Sequence, residues 1–391
     1  MQKTSVCLSS IASDFKSKYA GEKFCLIGGK LQGIEAAYLA KKAGLYVILI
    51  DKNPSAFAQS LCDEFHCFDI TENKSRFIEI SALSDYMIPV NENENTISFL
   101  KDMKNEIKCS LLFDFEAYDI SSDKNKSKNY FKQIQVPTPL DSPNEPPYFV
   151  KPPSESGSIG AKIIQTKEEL DLIPKDFLIE EYLTGPVISL EIIGNGKDCI
   201  VAKETQIHID DVYDCRMVTP LPANEKYRKV ARDLAKGLQL KSIMDVEAID
   251  SQNGLKVLEI DARFPSQTPI CVYFSSGINL LLLLIESFEN KDSFLQSGLA
   301  HSTNLKYVDS YCIFEHFQFK DGKLVSGGEH LISAGSDFHL IWAEQNNGIE
   351  IFECTAGAYR AYTIICYEKT KKKTELKREW AMNFISSRNL K

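Results

Sequence analysis

The stretch VLEIDARFP, residues 257–265, carries the reading of the whole chain. Its composition is that of a strand, and side chains alternate faces along a strand. Glu259, Asp261 and Arg263 therefore share one face, with Leu258, Ile260 and Ala262 on the other. Carboxylates in a row repel one another unless a positive charge sits between them. The upstream stretch IMDVEAID (243–250) sharpens the problem. With Gly254 able to turn left-handed, a three-residue loop at 252–254 pairs Ser251 with Leu255. Counting back, Glu247 then faces Glu259 and Asp245 faces Asp261. Like charges directly opposite destabilise a sheet. They suit a hard divalent cation, which takes oxygen ligands and keeps waters and substrate phosphates in its shell. The pattern points to magnesium carrying a nucleotide.

Basic residues upstream supply the complement. Lys124 follows an aspartate at the start of a lysine-rich helix within 121–139, and PYFVKPP (147–153) reads as a strand with Lys151 near its end. The small-residue loop SESGSIG (154–160) comes next, with Ser156, Gly157 and Ser158 at its centre. An ammonium beside such N–H donors suits phosphate, although no GKS or GKT makes it a P-loop. IEEYL (179–183), between two strands, offers the main chain around Tyr182 and Leu183 to an adenine edge, with Glu180 or Glu181 near its amine. A plain acidic strand end is the alternative.

The N-terminal region reads as strand FCLIGG (24–29), helix LQGIEAAYLAKKAG (31–44) and strand YVILIDKNP (46–54), a βαβ unit and hence a parallel sheet. Further strands around 65–69, 86–90 and 111–113 complete a Rossmann-like layer. GGKLQG (28–33) is a poor dinucleotide fingerprint, because Lys30 occupies the position where a glycine admits the pyrophosphate. A redox role with Asp51 on a ribose is disfavoured; an anion-binding turn and a structural turn both stay open.

The chain has 391 residues, 43% hydrophobic and 25% charged, with a net charge of −9. That describes an ordinary globular protein of about two or three domains, with no reason to expect nucleic acid. Eleven cysteines, odd in number and without a CxxC pair, fit a reducing, cytoplasmic setting. INLLLLLIESF (278–288) is too short to cross a bilayer and reads as a buried helix capped by the preceding Ser-Ser-Gly. The first residues carry charges where a signal peptide needs an apolar core, and read as a loosely ordered extension. The basic segment KTKKKTELKREW reads as a solvated helix end.

In this order the pieces resemble the ATP-grasp superfamily over nearly the whole chain after residue 22. The resemblance implies an α/β fold, α+β in its C-terminal part: a Rossmann-like pre-ATP-grasp domain followed by a two-lobed ATP-grasp fold. The expected division is an N-terminal extension (1–22), the pre-ATP-grasp domain (23–115), a small subdomain (116–186) and a large subdomain with the metal and substrate site (187–391). By resemblance, Glu247, Glu259 and Asp261 hold two magnesium ions, while Lys124, Lys151 and the SESGSIG loop hold the ATP phosphates. Two departures stand out. Gly185 is followed by Pro186 and Val187 where a ribose-binding glutamate is frequent, which leaves the ribose to Glu180 or Glu181. Asp261 stands where asparagine is frequent, adding a negative charge for the metal.

The segments GGKLQGIEAAYLAKKAG, PVNEN, FDFEAY, HIDDVYDCRMVTPLPAN and EIDARFPSQTP further resemble the ligase family of pyrrolysine biosynthesis. That likeness implies ATP-dependent joining of 3-methyl-D-ornithine to the side-chain amine of L-lysine through an acyl phosphate, giving ADP. Arg263 would neutralise the acyl phosphate. Glu204, His208 and Asp210, on one strand face, and the hydroxyls of Ser266 and Thr268 are candidates for the ornithine-type substrate. Gln32 and Glu92 are candidates for lysine, with Glu35 a weaker one that could equally face solvent. The expected partners are these amino acids, with no nucleic acid and no membrane; a homodimer is left open. Rival readings are another ATP-grasp ligase (D-alanine–D-alanine-like or purine-pathway), a non-catalytic ATP-binding module, and a dinucleotide oxidoreductase.

Overall fold

Strands β1 (Lys23–Ile27), β2 (Tyr46–Asp51), β3 (Glu64–Cys67), β4 (Tyr86–Pro89) and β5 (Ser110–Leu111) form a parallel sheet of order β3-β2-β1-β4-β5. The helix Leu31–Lys42 makes the crossover from β1 to β2. The sequence of connections reverses between β1 and β4, so a crevice opens beyond their C-terminal ends. Gln32 follows β1 and Glu92 follows β4, and both stand at this crevice. In the computed structural model the described residues are 11, 13–152, 160–211, 213–344 and 348–389.

A small antiparallel sheet of β6 (Tyr148–Lys151), β7 (Lys162–Ile164) and β8 (Leu178–Glu181) has the order β7-β6-β8. Beside it runs the helix Lys124–Gln133, whose N-cap Asp123 accepts hydrogen bonds from the main chain of Asn125 and Lys126.

The largest sheet is antiparallel and contains β9 (Val187–Gly194), β10 (Cys199–Ile209), β11 (Cys215–Pro220), β12 (Ile243–Ser251), β13 (Gly254–Asp261), β14 (Tyr311–Lys320), β15 (Lys323–Ser326), β16 (Ser336–Glu344), β17 (Ile349–Ala356) and β18 (Tyr359–Glu368). Its order is β13-β12-β9-β10-β11-β14-β18-β17-β16, with β15 on β14. Behind the β9–β12–β13 end packs the helix Glu225–Leu238, whose Tyr227, Ala231 and Leu234 share a core with Leu190, Ile192, Met244 and Val246. A second core joins the parallel sheet to the large one through the helices Leu31–Lys42, Pro269–Ser276 and Leu280–Glu289.

The apolar helix is buried as expected, but its cap differs. Asn279 accepts from the main chain of Leu281 and Leu282, while Gly277 of Ser-Ser-Gly, at φ +78°, ends the preceding helix. The described part of the N-terminal extension is packed rather than loose. Tyr273 and Tyr307 both donate to Asp14, and the Tyr19 hydroxyl donates to buried Glu286 at 2.8 Å. The basic segment opens a 19-residue helix, Lys371–Asn389, and is largely exposed as expected, while Thr374, Ala381 and Ile385 hold the helix to the body of the protein. No helix among the described residues is long and apolar enough to cross a membrane.

Candidate active site

The acidic face predicted from VLEIDARFP exists, by a route different from the one expected. The β12–β13 hairpin pairs Ser251 with Gly254 around a two-residue turn, not Ser251 with Leu255. A β-bulge opposite Glu247 and Ala248 then inserts one residue on β13. Glu247 consequently faces Glu259 and Asp245 faces Asp261. The bulge has a packing reason. It lets Val257 and Ile260, three positions apart, both enter the core behind the sheet.

Strand β9 completes the floor. Glu191 lies opposite Asp245, and Ser189 opposite Glu247. Two rows thus cross three strands: Glu191, Asp245, Asp261, and beside it Ser189, Glu247, Glu259. Glu191 is missing from the sequence reading, because VISLEIIG shows one acid in an apolar run and its partner strand lies fifty residues away. Burial, then the Asp261 charge, push the Asp245 carboxyl well above its ordinary value; burial and Glu259 do the same for Glu247. Glu259 is raised by burial and Asp261 against the opposing charges of Lys151 and Lys124. Asp245 Oδ1 and Glu191 Oε2 are buried with no hydrogen-bond partner among the described residues. Orphaned, mutually repelling oxygens are the donor set that a hard cation needs. The chemistry of these oxygens suits magnesium.

The small sheet faces this floor with lysines. Lys124 Nζ lies 3.4 Å from the Pro152 carbonyl, and burial lowers its pKa while Glu259 opposes that shift. Lys151 Nζ is 2.9 Å from Glu180, which Lys128 also holds at 2.7 Å. Glu180 is thus buried between two ammonium groups. Glu181 accepts from the Leu140 main chain at 3.0 Å and lies 3.6 Å from Lys256. Tyr182 N–H donates to the Pro147 carbonyl at 3.3 Å, and Tyr182 and Leu183 are half-buried beyond β8. Ser156, Gly157 and Ser158 lie outside the described residues.

Arg263 joins the floor to the parallel sheet, 3.1 Å from Asp261 and 2.8 Å from Glu92. Burial works against its charge, yet Asp261 and Glu92 outweigh that and raise its pKa. Gln32 donates to the same Glu92 at 3.0 Å and leaves its own Oε1 buried and unpartnered. Glu92 is therefore tied to Arg263, not set apart from it as an independent lysine contact. Glu35 does not face solvent; it is buried, accepting from the Ile270 main chain at 2.9 Å. Thr268 is buried with an unpartnered hydroxyl beside Glu191, and the Ser266 carbonyl accepts from the Thr268 main chain.

The third predicted group separates. Glu204 is clamped by Arg228 through two bonds of 2.7 and 2.8 Å and accepts from the Asn224 main chain, so it anchors a helix instead of awaiting substrate. His208 faces Thr219 at 2.9 Å, and burial together with the Arg216 charge lowers its pKa. Asp210 lies past a bulge after His208 and accepts from the Asp214 main chain, which removes it from their face. Asp51 accepts from Gly29 and Asn53 main chains at 2.6 and 2.7 Å. Together with Gly28 at φ +105°, this makes the glycine turn structural.

Comparison with known proteins agrees with this architecture. The model of the ATP-grasp domain matches residues 121–267. A 3-methyl-D-ornithine–L-lysine ligase of Methanosarcina barkeri is 50% identical over 365 residues, covering 93% of this chain and 98% of its own length. A ligase of the same name from Methanosarcina mazei is 50% identical, covering 93% and 95%. Among solved structures, N5-carboxyaminoimidazole ribonucleotide synthetase in complex with ADP has a TM-score of 0.68 at 12% identity, covering 93% of this chain and 97% of that one.

Proposed function

The chain belongs to the 3-methyl-D-ornithine–L-lysine ligase family within the ATP-grasp fold, and on that premise we propose that it joins the carboxylate of 3-methyl-D-ornithine to the ε-amine of L-lysine, consuming ATP. The observation that carries the mechanism is the convergence of Lys124, Lys151 and Arg263 on the acidic floor.

A carboxylate does not react with an amine at neutral pH without a leaving group. In the first step a donor carboxylate oxygen attacks the γ-phosphorus of ATP, the bond to the β-phosphate oxygen breaks, and ADP leaves. In the second, the unprotonated ε-amine attacks the acyl carbon, the carbon–oxygen bond to phosphate breaks, and phosphate carries away the electron pair. Such transfers need positioning and charge stabilisation more than covalent help from the protein. Lys124 and Lys151 lie on the side from which the phosphates approach, and Glu180, freed from Lys151, can turn to the nucleotide with Glu181, Tyr182 and Leu183. Arg263, ion-paired to Glu92 and Asp261, meets the carboxylate being activated. Glu247, Glu259 and Asp261 would hold two magnesium ions, which when bound neutralise the phosphate charge. We assign residues 23–115, 116–186 and 187–391 to the pre-ATP-grasp domain and the two lobes. The described cysteines are all unbridged, which supports a cytoplasmic setting.

The test omits lysine. Enzyme given ATP and 3-methyl-D-ornithine should form ADP and an acyl group that hydroxylamine traps as a hydroxamate. Adding lysine should release phosphate and the dipeptide. AMP as the nucleotide product would overturn the mechanism.

A further inference from the structure

The helix Lys124–Gln133 carries lysines at 124, 128 and 132, about one turn apart and therefore on one face. Lys124 feels the charge of Glu259 on the floor, whereas the other two meet acids directly. Lys128 Nζ is 2.7 Å from Glu180 Oε1 and 2.7 Å from Asp141 Oδ1, and Lys132 holds the other oxygen of Asp141 at 2.8 Å. Lys151 takes the remaining oxygen of Glu180 at 2.9 Å. Charges thus alternate from the phosphate side to the surface, in the order Lys151, Glu180, Lys128, Asp141, Lys132.

The main chain holds this row in register. Asp141 and Glu180 form an antiparallel bridge, flanked by bonds from Ser142 N–H to Ile179 and from Glu181 N–H to Leu140, each 2.9 Å. The two acids therefore stand side by side, and Lys128 reaches both from the helix. Lys128, Asp141 and Glu180 line a small cavity with buried Phe131 and Val257. Glu180 is itself buried, while Lys132 at the far end is exposed. Burial works against the Lys128 charge, but Glu180 and Asp141 outweigh it and raise its pKa.

The arrangement bears on the phosphate site. Lys151 is paired with Glu180, so meeting a nucleotide means exchanging one anion for another. A buried carboxylate stripped of its only cation is strongly unfavourable, which would oppose the exchange. Lys128 removes that obstacle. Because it holds the other oxygen, Glu180 keeps a counter-charge throughout, whether or not it also accepts from the adenine amine.

We propose that Lys128 is a positioning residue that frees Lys151 for phosphate, by remaining the counter-charge of Glu180 when Lys151 turns to ATP. The inference rests on the phosphate role given to Lys151 above and adds the residue that permits it. The alternative is a lysine that merely staples the helix to β8, which would act equally whatever the charge of Glu180.

The Kd of ATP with magnesium, titrated calorimetrically across a double-mutant cycle of Lys128→Met and Glu180→Gln, separates the two. Lys128→Met keeps the stem and removes the charge. With Glu180 intact it should weaken ATP binding ~10- to 100-fold, because Lys151 is then the sole partner of that carboxylate. In the Glu180→Gln background the same substitution should change Kd by less than ~3-fold, since a neutral amide releases Lys151 unaided. Lys128→Arg should recover most of the affinity, and the KM of each amino acid should be nearly unchanged in Lys128→Met. Melting temperatures report the folding of every variant. Equal losses in the two backgrounds, or a folded Lys128→Met protein that binds ATP as the wild type does, would overturn the proposal. Asp141→Asn gives a test that does not need Lys128→Met to fold. It leaves Lys128 to Glu180 alone, so ATP should bind at least as tightly as before. A loss above ~10-fold at an unchanged melting temperature would overturn the proposal as well. ATP binding indifferent to Lys151→Ala would remove the phosphate role of Lys151 and this inference with it. Equal losses in the two backgrounds beside a normal Lys151→Ala effect would remove this inference alone.

Discussion

The floor of the site and a small cavity lined by Glu35, Gln267 and Glu329 both carry carboxylates, yet they are built in opposite ways. The floor is local: Asp245, Glu247, Glu259 and Asp261 come from one hairpin, and only Glu191 is added from the neighbouring strand. The cavity is assembled from residues 35, 267 and 329, on three elements that meet only when the parallel sheet docks on the large one. Their charges are also answered differently. The floor faces lysines across a gap and Arg263 at its edge, whereas Glu35 and Glu329 rely on neutral hydrogen-bond donors. The difference teaches that acid density alone does not identify a ligand. The cations already present around the acids, and the polarity of the walls, set the floor apart from the cavity.

The sharpest way to break this contrast is to neutralise one floor carboxylate. Glu259→Gln should lower ligation by more than about a thousandfold, because charge stabilisation at the phosphates is worth several kcal/mol. Ligand-free stability should hold or rise, since the change also relieves repulsion from Asp261 and Glu247. Retention of most activity at ordinary magnesium concentrations would remove Glu259 from the metal site.

Arg263→Lys tests the link between the floor and the parallel sheet. A lysine's single ammonium cannot reach Glu92 and Asp261 through two separate nitrogens, and kcat should fall ~100-fold with a smaller change in the Kd of ATP. A purely structural Arg263 would instead lower the melting temperature and leave kcat intact.

Lys151→Ala should weaken ATP binding by ~10-fold while sparing the amino acids, as a charge facing phosphate requires. The substitution also leaves Glu180 with Lys128 alone. Calorimetric titration of each ligand distinguishes this from a general loss of structure, which would affect all of them.

The smallest effect is one of pH. Glu191 and Glu329, raised by burial from the ordinary 4.5 to about 7, hold protons in the folded state that the unfolded chain has released. Their contribution to stability is therefore full below about 4.5 and is lost as pH rises through about 7. His316 works the other way, being held neutral by burial with its pKa lowered to about 3, but its effect is complete once pH exceeds the ordinary 6.5. Between pH 6.5 and 8 the ligand-free melting temperature should fall by a few degrees. Magnesium with ATP should recover more stability at pH 8 than at pH 6, because the floor carboxyls Asp245 and Glu247 are raised in the same sense. Equal stabilisation at both values would show that ligands do not answer the floor's charge.

The sequence by itself determined the pieces whose logic is short-range. The βαβ unit follows from two apolar strands around a helical segment that ends at Gly44, and the pairing of Glu247 with Glu259 follows from strand periodicity and a hairpin. Even there, the agreement hid a compensation: the turn is one residue shorter than expected, and the bulge after Val257 restores the register. Core packing behind β13 requires that bulge, and no local rule announces it. Only the tertiary structure decided the rest. Glu204 is as acidic as Glu259 in the sequence, but an arginine on the helix Glu225–Leu238 claims it. Glu35 could have faced water, and Glu191 and Glu329 gave no signal at all, because their roles depend on partners from distant segments. Periodicity reveals which side of an element a charge occupies; which opposite charge meets it is settled when the sheets pack.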